Sequence, residues 1–497
     1  MIFNSLQFLI FLPVVLLINY ILPKKIRYIW LLLASYFFYM CWNAKYALLL
    51  LGSTLVTYLS GLLMAKASEK YEEAKAIKRK KLIVAGSFII NLAILAFFKY
   101  ANFFLSSLAM AARVAHIELN LPYIDVLLPV GISFYIFQAL SYTMDVYRGD
   151  IYAEKNFARY ALFVSFFPQL VAGPIERSKN LIVQLATPKD FNYENAREGL
   201  LLMLWGFFLK IVLADRIAIF VDTVYADFVT YNGVYLLVAS VLFAILIYCD
   251  FAGYSTIAIG TAKMLGVEIM QNFDTPYLAL SVAEFWRRWH ISLTSWFRDY
   301  LYIPLGGSRK GKVRKYINIM IVFLVSGLWH GANWSYVVWG GLNGIYQIIG
   351  ELLKPVREKV TALLDLNPKT ICYRVFQMII TFVLVDISWV FFRASGVKEG
   401  FAILQSIARD HNIWILFDGS LYKCGLDIKN YNLMLLSIAL LLIVDIFNHR
   451  GIKIRNIIIR QDWIARSFII AIAICAILLF GIWGSSYDAA NFIYFQF

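Results

Sequence analysis

The chain has 497 residues, of which 61% are hydrophobic and 15% charged, and its mean hydropathy is +0.69. That profile excludes an ordinary soluble domain and predicts an all-α polytopic membrane protein. The formal charge of +15 lies in clusters beside apolar runs, which argues against nucleic-acid binding and for basic loops on the cytoplasmic side of a membrane.

Apolar runs fall at 6–22, 28–42, 46–64, 82–98, 126–144, 160–172, 199–214, 232–249, 317–350, 375–392, 431–447 and 467–483. Since about 20 apolar residues suffice for a crossing, they predict roughly 11 or more helices, some of them partial. The first run has neither a basic leader nor a small-residue cleavage site, so it reads as a retained helix. No charge precedes Lys24, which predicts an N-terminus outside the cell. The runs 28–42 and 46–64 are separated by Asn43-Ala44-Lys45 and flanked by Lys24, Lys25 and Arg27 on one side and Lys66–Lys81 on the other. This predicts a hairpin with both ends cytoplasmic. Lys66–Lys81 mixes seven basic residues with Glu69, Glu72 and Glu73, the pattern of a solvated helix extension.

The segment 173–198 is polar and carries Gly173-Pro174-Ile175-Glu176-Arg177. Asp250, Asp386 and Asp445 lie in or beside apolar runs and need partners, with Arg393 the candidate for Asp386. The five cysteines form no CxxC pair, so neither a disulfide framework nor a metal site is expected, and they read as small core residues. Without repeats, linkers or low-complexity tracts, residues 1–497 read as one integral domain. Its motif-bearing core is about 127–350, its C-terminal helices lie in 375–483, and an aromatic tail occupies 484–497.

Two histidines stand out. The segment Ala283-Glu284-Phe285-Trp286-Arg287-Arg288-Trp289-His290-Ile291-Ser292-Leu293 continues through Trp296-Phe297. Helical spacing puts Trp286, Trp289, His290, Leu293 and Phe297 on one face, with Arg287 and Arg288 elsewhere. One reading is an amphipathic interfacial helix with snorkelling arginines. The sharper one turns His290 toward the protein and lets Arg287 and Arg288 hold an anionic donor. Further on, 316–350 contains no Asp, Glu, Lys or Arg, and in its middle lies Gly327-Leu328-Trp329-His330-Gly331-Ala332-Asn333-Trp334. The run is too long for one crossing, so the Gly331-Ala332-Asn333 break predicts two helical pieces with His330 at their junction. His330 then lies on the order of 20 Å along the helix from Lys315, short of a full crossing. An ionisable side chain at that depth is costly unless it faces a polar cavity, which makes His330 a functional candidate.

Acyl transfer to a hydroxyl needs a base for the acceptor proton and donors for the developing oxyanion. Burial keeps an imidazole unprotonated and so keeps it a base. No GxSxG elbow, HExxH or P-loop is present, and direct attack of a hydroxyl on a thioester with His330 as base is the simplest chemistry these residues permit. The indoles of Trp329 or Trp334 and the Asn333 amide are oxyanion candidates.

Three stretches resemble the membrane-bound O-acyltransferase family: Pro129-Val130-Gly131-Ile132-Ser133-Phe134-Tyr135 with Gln138 and Ser141-Tyr142, then Glu284 through Gly307, then Gly327 through Gly341. Within it they are similar to the bacterial branch of alginate O-acetylases and peptidoglycan O-acetyltransferases, with the teichoic-acid D-alanyl transferases as relatives. The resemblance implies helices around a central funnel, with His330 and His290 as the two functional histidines. Trp286, Arg287, Arg288, Trp289, Asn333 and Trp334 are donor-binding or oxyanion candidates from their places beside these histidines in the sequence. It implies no metal and no tightly bound cofactor, with acetyl-CoA or an acyl-phosphopantetheine carrier as co-substrate. The expected location is the bacterial cytoplasmic membrane, and the expected function is passage of an acetyl group toward hydroxyls of a surface polysaccharide. The alternatives are D-alanyl or other acyl transfer from a carrier protein to a cell-wall polymer, and a transporter or flippase without bond chemistry. The end of the chain, Phe492-Ile493-Tyr494-Phe495-Gln496-Phe497, resembles the aromatic tails of cell-wall acylation systems. This implies that Tyr494 relays the acyl group from outside to an extracytoplasmic partner enzyme; as an alternative, the tail is an aromatic membrane anchor.

Overall fold

The computed structural model describes residues 1–483, and every regular element among them is helical. Tyr494 and the aromatic tail lie outside the described residues. Six helices are long and apolar enough to cross a membrane: Ala44–Lys70, Glu73–Val114, Val234–Met264, Ile371–Arg393, Ile428–His449 and Trp463–Phe480. A backbone in hydrocarbon must satisfy its own hydrogen bonds, and these helices do so along their length. Their exposed residues are largely apolar, such as Leu48, Leu436 and Leu479, as expected of a lipid-facing surface.

Several runs are cut where local chemistry demands it. The 126–144 run becomes helical only at Ile132, after Pro129 and a left-handed Gly131 (φ 75°). A Cβ at Gly131 would press on the Leu170 carbonyl, so both the turn and the close approach require glycine. The 160–172 run divides into Phe157–Ser165 and Phe167–Leu170, because Pro168 cannot continue the preceding helix. The 199–214 run widens from Tyr193–Phe207 into a π-helical stretch, Phe208–Ala214.

The chain forms two compact units. The first comprises residues 1–203 and 257–270. In it Arg27, 6% exposed, donates to the carbonyls of Leu22 and Lys189. The polar segment 173–198 begins inside the protein, for residues 173–178 are buried. There Ser178 donates to Asp145 (2.5 Å), and Glu176 accepts the backbone N–H groups of Arg177 (3.2 Å) and Met270. Desolvation raises the Glu176 carboxyl above its usual range, against the pull of those N–H donors.

The second unit comprises residues 204–256 and 271–483. Its buried charges find partners across long sequence separations. Lys210, on the π-helical stretch, bridges Asp215 (2.8 Å) and Asp250 (2.6 Å). Asp445 accepts from the Tyr248 hydroxyl (3.1 Å). The pairing of Asp386 with Arg393 is not formed: Ser240 donates to Asp386 (2.9 Å), while Arg393 pairs with Asp222 (2.7 Å). Of the cysteines, only Cys249 and Cys424 are buried; Cys41, Cys372 and Cys475 are exposed.

Candidate active site

The site lies within the second unit and is built on a helical hairpin. Lys312–His330 stops at Gly331, and Trp334–Leu352 begins after Asn333, whose side-chain oxygen caps it by accepting from Ser335 N–H (3.0 Å). The break predicted at 331–333 is therefore real, and His330 is the last residue of its helix. The two helices cross almost backbone to backbone. A Cβ at Gly327 would strike the Tyr336 carbonyl, and one at Gly340 the Phe323 carbonyl. Small residues are what let helices approach so closely. The crossing holds the His330 ring, 3% exposed, against Trp339 with ring centroids 4.9 Å apart.

His290 reaches the same place by a different route. Helical spacing predicts one continuous helix through 283–297, but the helix stops at Arg288 and a second, Ile291–Phe297, follows. Between them His290 adopts the left-handed conformation (φ 43°, ψ 54°). A non-glycine residue there bears strain of about 1–3 kcal/mol, and such strain clusters at functional sites. The turn carries the imidazole into the interior, fully buried, with its centroid 6.4 Å from that of His330. Two rings so separated do not hydrogen-bond to each other directly. Burial pushes the His290 imidazole down to about 3, which keeps it neutral.

The walls are aromatic. Trp329 stands 6.0 Å from His290 and 5.0 Å from His330, Phe251 lies 4.6 Å from His290, and Phe392 lies 5.5 Å from His330. Trp389 stacks on Trp339 at 5.6 Å. Such walls lower the local dielectric and strengthen any charge interaction formed inside.

The predicted site residues divide. Trp289 is 1% exposed and stacks on Phe285 at 5.3 Å. Trp286 is buried and donates its indole N–H to Asn343 (3.0 Å), whose amide in turn donates to Ser388 (3.1 Å). Arg288 is engaged by Glu284 (2.8 Å) and by Thr275 (3.1 Å), whereas Arg287 is exposed and bonds only weakly to its own helix at Ala283 (3.3 Å). Of the two arginines, Arg287 is the better placed to meet an anion from solvent. The Asn333 amide donates to the Ser395 carbonyl (2.8 Å), so its donor is engaged by the fold. Trp334 is 51% exposed.

Sequence reasoning did not single out Phe251, Trp339, Trp389, Phe392, Asn343 or Asn272. Trp389 and Phe392 do sit three apart on one helix, but an aromatic stripe at helical spacing is ordinarily core. No local signal marks these residues as walls of a site. Among the described residues no cluster of His, Cys, Asp and Glu could hold a metal.

The MBOAT, membrane-bound O-acyltransferase, family model matches residues 153–385, a span that contains both histidines. A probable alginate O-acetylase of Pseudomonas putida is 40% identical over 401 residues, covering 80% of this chain and 78% of that protein. A peptidoglycan O-acetyltransferase of Helicobacter pylori is 33% identical, covering 78% of this chain and 74% of the relative. A teichoic acid D-alanyltransferase of Streptococcus thermophilus is 29% identical over 45% of this chain and 56% of its own length. The chain belongs to the membrane-bound O-acyltransferase family. It is a multi-pass membrane enzyme that transfers acyl groups to oxygen.

Proposed function

We propose that this enzyme moves an acetyl group from a cytosolic thioester, acetyl-CoA, toward hydroxyls of a cell-surface polysaccharide. The observation that carries the reading is the pair of buried histidines, 6.4 Å apart within aromatic walls, inside the segment that the family model covers. The relatives named for alginate and peptidoglycan acetylation support the substrate class. In the reaction the acceptor oxygen attacks the thioester carbonyl while His330 takes the hydroxyl proton. The C–S bond then breaks, the ester remains on the acceptor, and the proton passes to the departing thiolate. His290 acts beside His330 on the same reacting centre. Arg287, exposed and lightly held, meets the anionic part of the donor.

The reading extends to an arrangement of roughly 11 or more helices around a funnel, with both termini extracytoplasmic, supported by the basic clusters that flank the apolar runs. In it the transferred group passes to Tyr494 and then to an extracytoplasmic partner acyltransferase. A second donor, an acyl group on a carrier protein's phosphopantetheine arm, is favoured by the likeness to the D-alanyltransferase.

Purified protein given radiolabelled acetyl-CoA and polysaccharide tests the core of the proposal. His330→Ala is expected to abolish transfer while the protein still inserts in the membrane, and normal transfer would overturn the assignment of the base. Tyr494→Phe deletes only an oxygen; wild-type polymer acetylation in that variant would make the tail an anchor and end the relay.

A further inference from the structure

His290 is held in its left-handed turn by a second strand of chain, residues 272–275, that hydrogen-bonds to both sides of it. On the near side the Arg288 carbonyl accepts from Asp274 N–H (2.9 Å), and the Arg288 guanidinium donates to Thr275 (3.1 Å). On the far side Asn272 takes two successive amides. Its backbone carbonyl accepts from Ile291 N–H (2.9 Å), and its side-chain oxygen accepts from Ser292 N–H (3.3 Å). Asn272 is 1% exposed, so water does not compete for these bonds. The Ser292 N–H can bond only to oxygen, which fixes the orientation of the Asn272 amide. Its Nδ2 then has no hydrogen-bond partner among the described residues. Burying a donor in that way is costly.

We propose that Asn272 is the positioning residue for His290, locking the left-handed backbone that carries the imidazole to His330. The proposal rests on the reading of His290 as a catalytic group. The left-handed conformation is not the intrinsic preference of histidine, so the turn persists only while neighbouring bonds over-determine it. The two amides that Asn272 binds belong to the first two residues after His290, where a change in the histidine's φ and ψ is felt at once. The backbone bond to Ile291 survives a change of side chain, but without the side-chain bond to Ser292 N–H the turn relaxes toward ordinary helical or extended values and the imidazole leaves its place by an ångström or more. A misplacement of about 1 Å lowers a rate on the order of 100-fold.

The experiment compares Asn272→Ala, Asn272→Asp, His290→Ala and the double variant His290→Ala/Asn272→Ala in the full-length protein. Initial rates are measured with radiolabelled acetyl-CoA, alongside membrane yield and Tm in detergent. Asn272→Ala is expected to lose about 100-fold in kcat with KM for the donor little changed, because the residue touches no substrate. Asn272→Asp keeps an acceptor for Ser292 N–H and is expected to recover most of the rate. The double variant is expected to be no slower than His290→Ala alone, since Asn272 acts through the imidazole. Should Asn272→Ala fail to reach the membrane, Asn272→Gln displaces the acceptor by one methylene and serves in its place.

Wild-type kcat in Asn272→Ala beside an inactive His290→Ala overturns the positioning role and leaves the catalytic reading intact. Full activity in His290→Ala overturns the catalytic reading itself. An Asp variant as slow as the Ala variant, or a double variant slower than His290→Ala, shows that Asn272 acts other than by positioning His290 and also overturns the proposal.

Discussion

Replacing Gly340 with alanine tests whether the helical hairpin positions His330. A Cβ at Gly340 would lie 3.1 Å from the Phe323 carbonyl carbon, 3.3 Å from Gly327 Cα and closer still to the Phe323 oxygen. Non-bonded carbon atoms pack best at about 3.5–4.0 Å, so the helices must part by about 1 Å where they cross. Neither side of that contact is a flexible side chain that could swing away, since both are helical backbone. His330 is three residues beyond Gly327 and Trp339 adjoins Gly340, so the opening is transmitted to the rings that define the site. A shift of about 1 Å corresponds to about 100-fold in kcat, or roughly 2.7 kcal/mol of barrier. Gly341→Ala is the control, because a Cβ there meets only Leu324 Cδ2 at an ordinary 3.6 Å. Both variants gain the same helix propensity, so the difference between them isolates the contact. The assay is the initial rate of acetyl transfer by purified protein, normalised to folded enzyme. Gly340→Ala turning over within about threefold of Gly341→Ala would refute the argument that backbone contact at this crossing places His330.

Asn333→Ala removes both a helix cap and the bond to Ser395, so Tm should fall by an amount equivalent to about 1–2 kcal/mol while the rate stays within tenfold. A loss of about 100-fold or more at unchanged Tm would instead make its amide an oxyanion donor. Lys210→Met takes away the ammonium that Asp215 and Asp250 share, and should destabilise the protein by about 3–5 kcal/mol, seen as lost membrane yield and partly restored by adding Asp250→Asn. His290 stays neutral in the native state down to about pH 3, whereas an unfolded imidazole protonates from pH 6.5 downward. The unfolded chain then binds a proton that the native one does not, so stability falls as pH drops from 6.5 toward 3. His290→Asn, which does not titrate and tolerates the left-handed turn, should flatten the acid slope of Tm; an unchanged slope refutes burial of a neutral imidazole.

Hydropathy and local chemistry are legible in the order of residues. Long apolar runs define a helical membrane protein because a buried backbone has no other way to satisfy its hydrogen bonds. The Gly331-Ala332-Asn333 break was legible because glycine ends helices and asparagine caps them, and the uncharged stretch 316–350 made His330 conspicuous. Partnerships between distant residues were not legible. The expected Asp386–Arg393 pair stands seven residues apart on one helix, yet Asp386 takes Ser240 and Arg393 takes Asp222, choices made by packing between helices. Periodicity predicts one helix over 283–297, whereas the chain turns at His290, where residues 272–275 hydrogen-bond to both sides of the turn, a contact that periodicity does not encode. Trp339, Trp389 and Phe392 look like any apolar stripe until the fold sets them around two imidazoles. Periodicity reports which face of a helix is apolar, whereas packing across the whole fold sets which other helix that face meets.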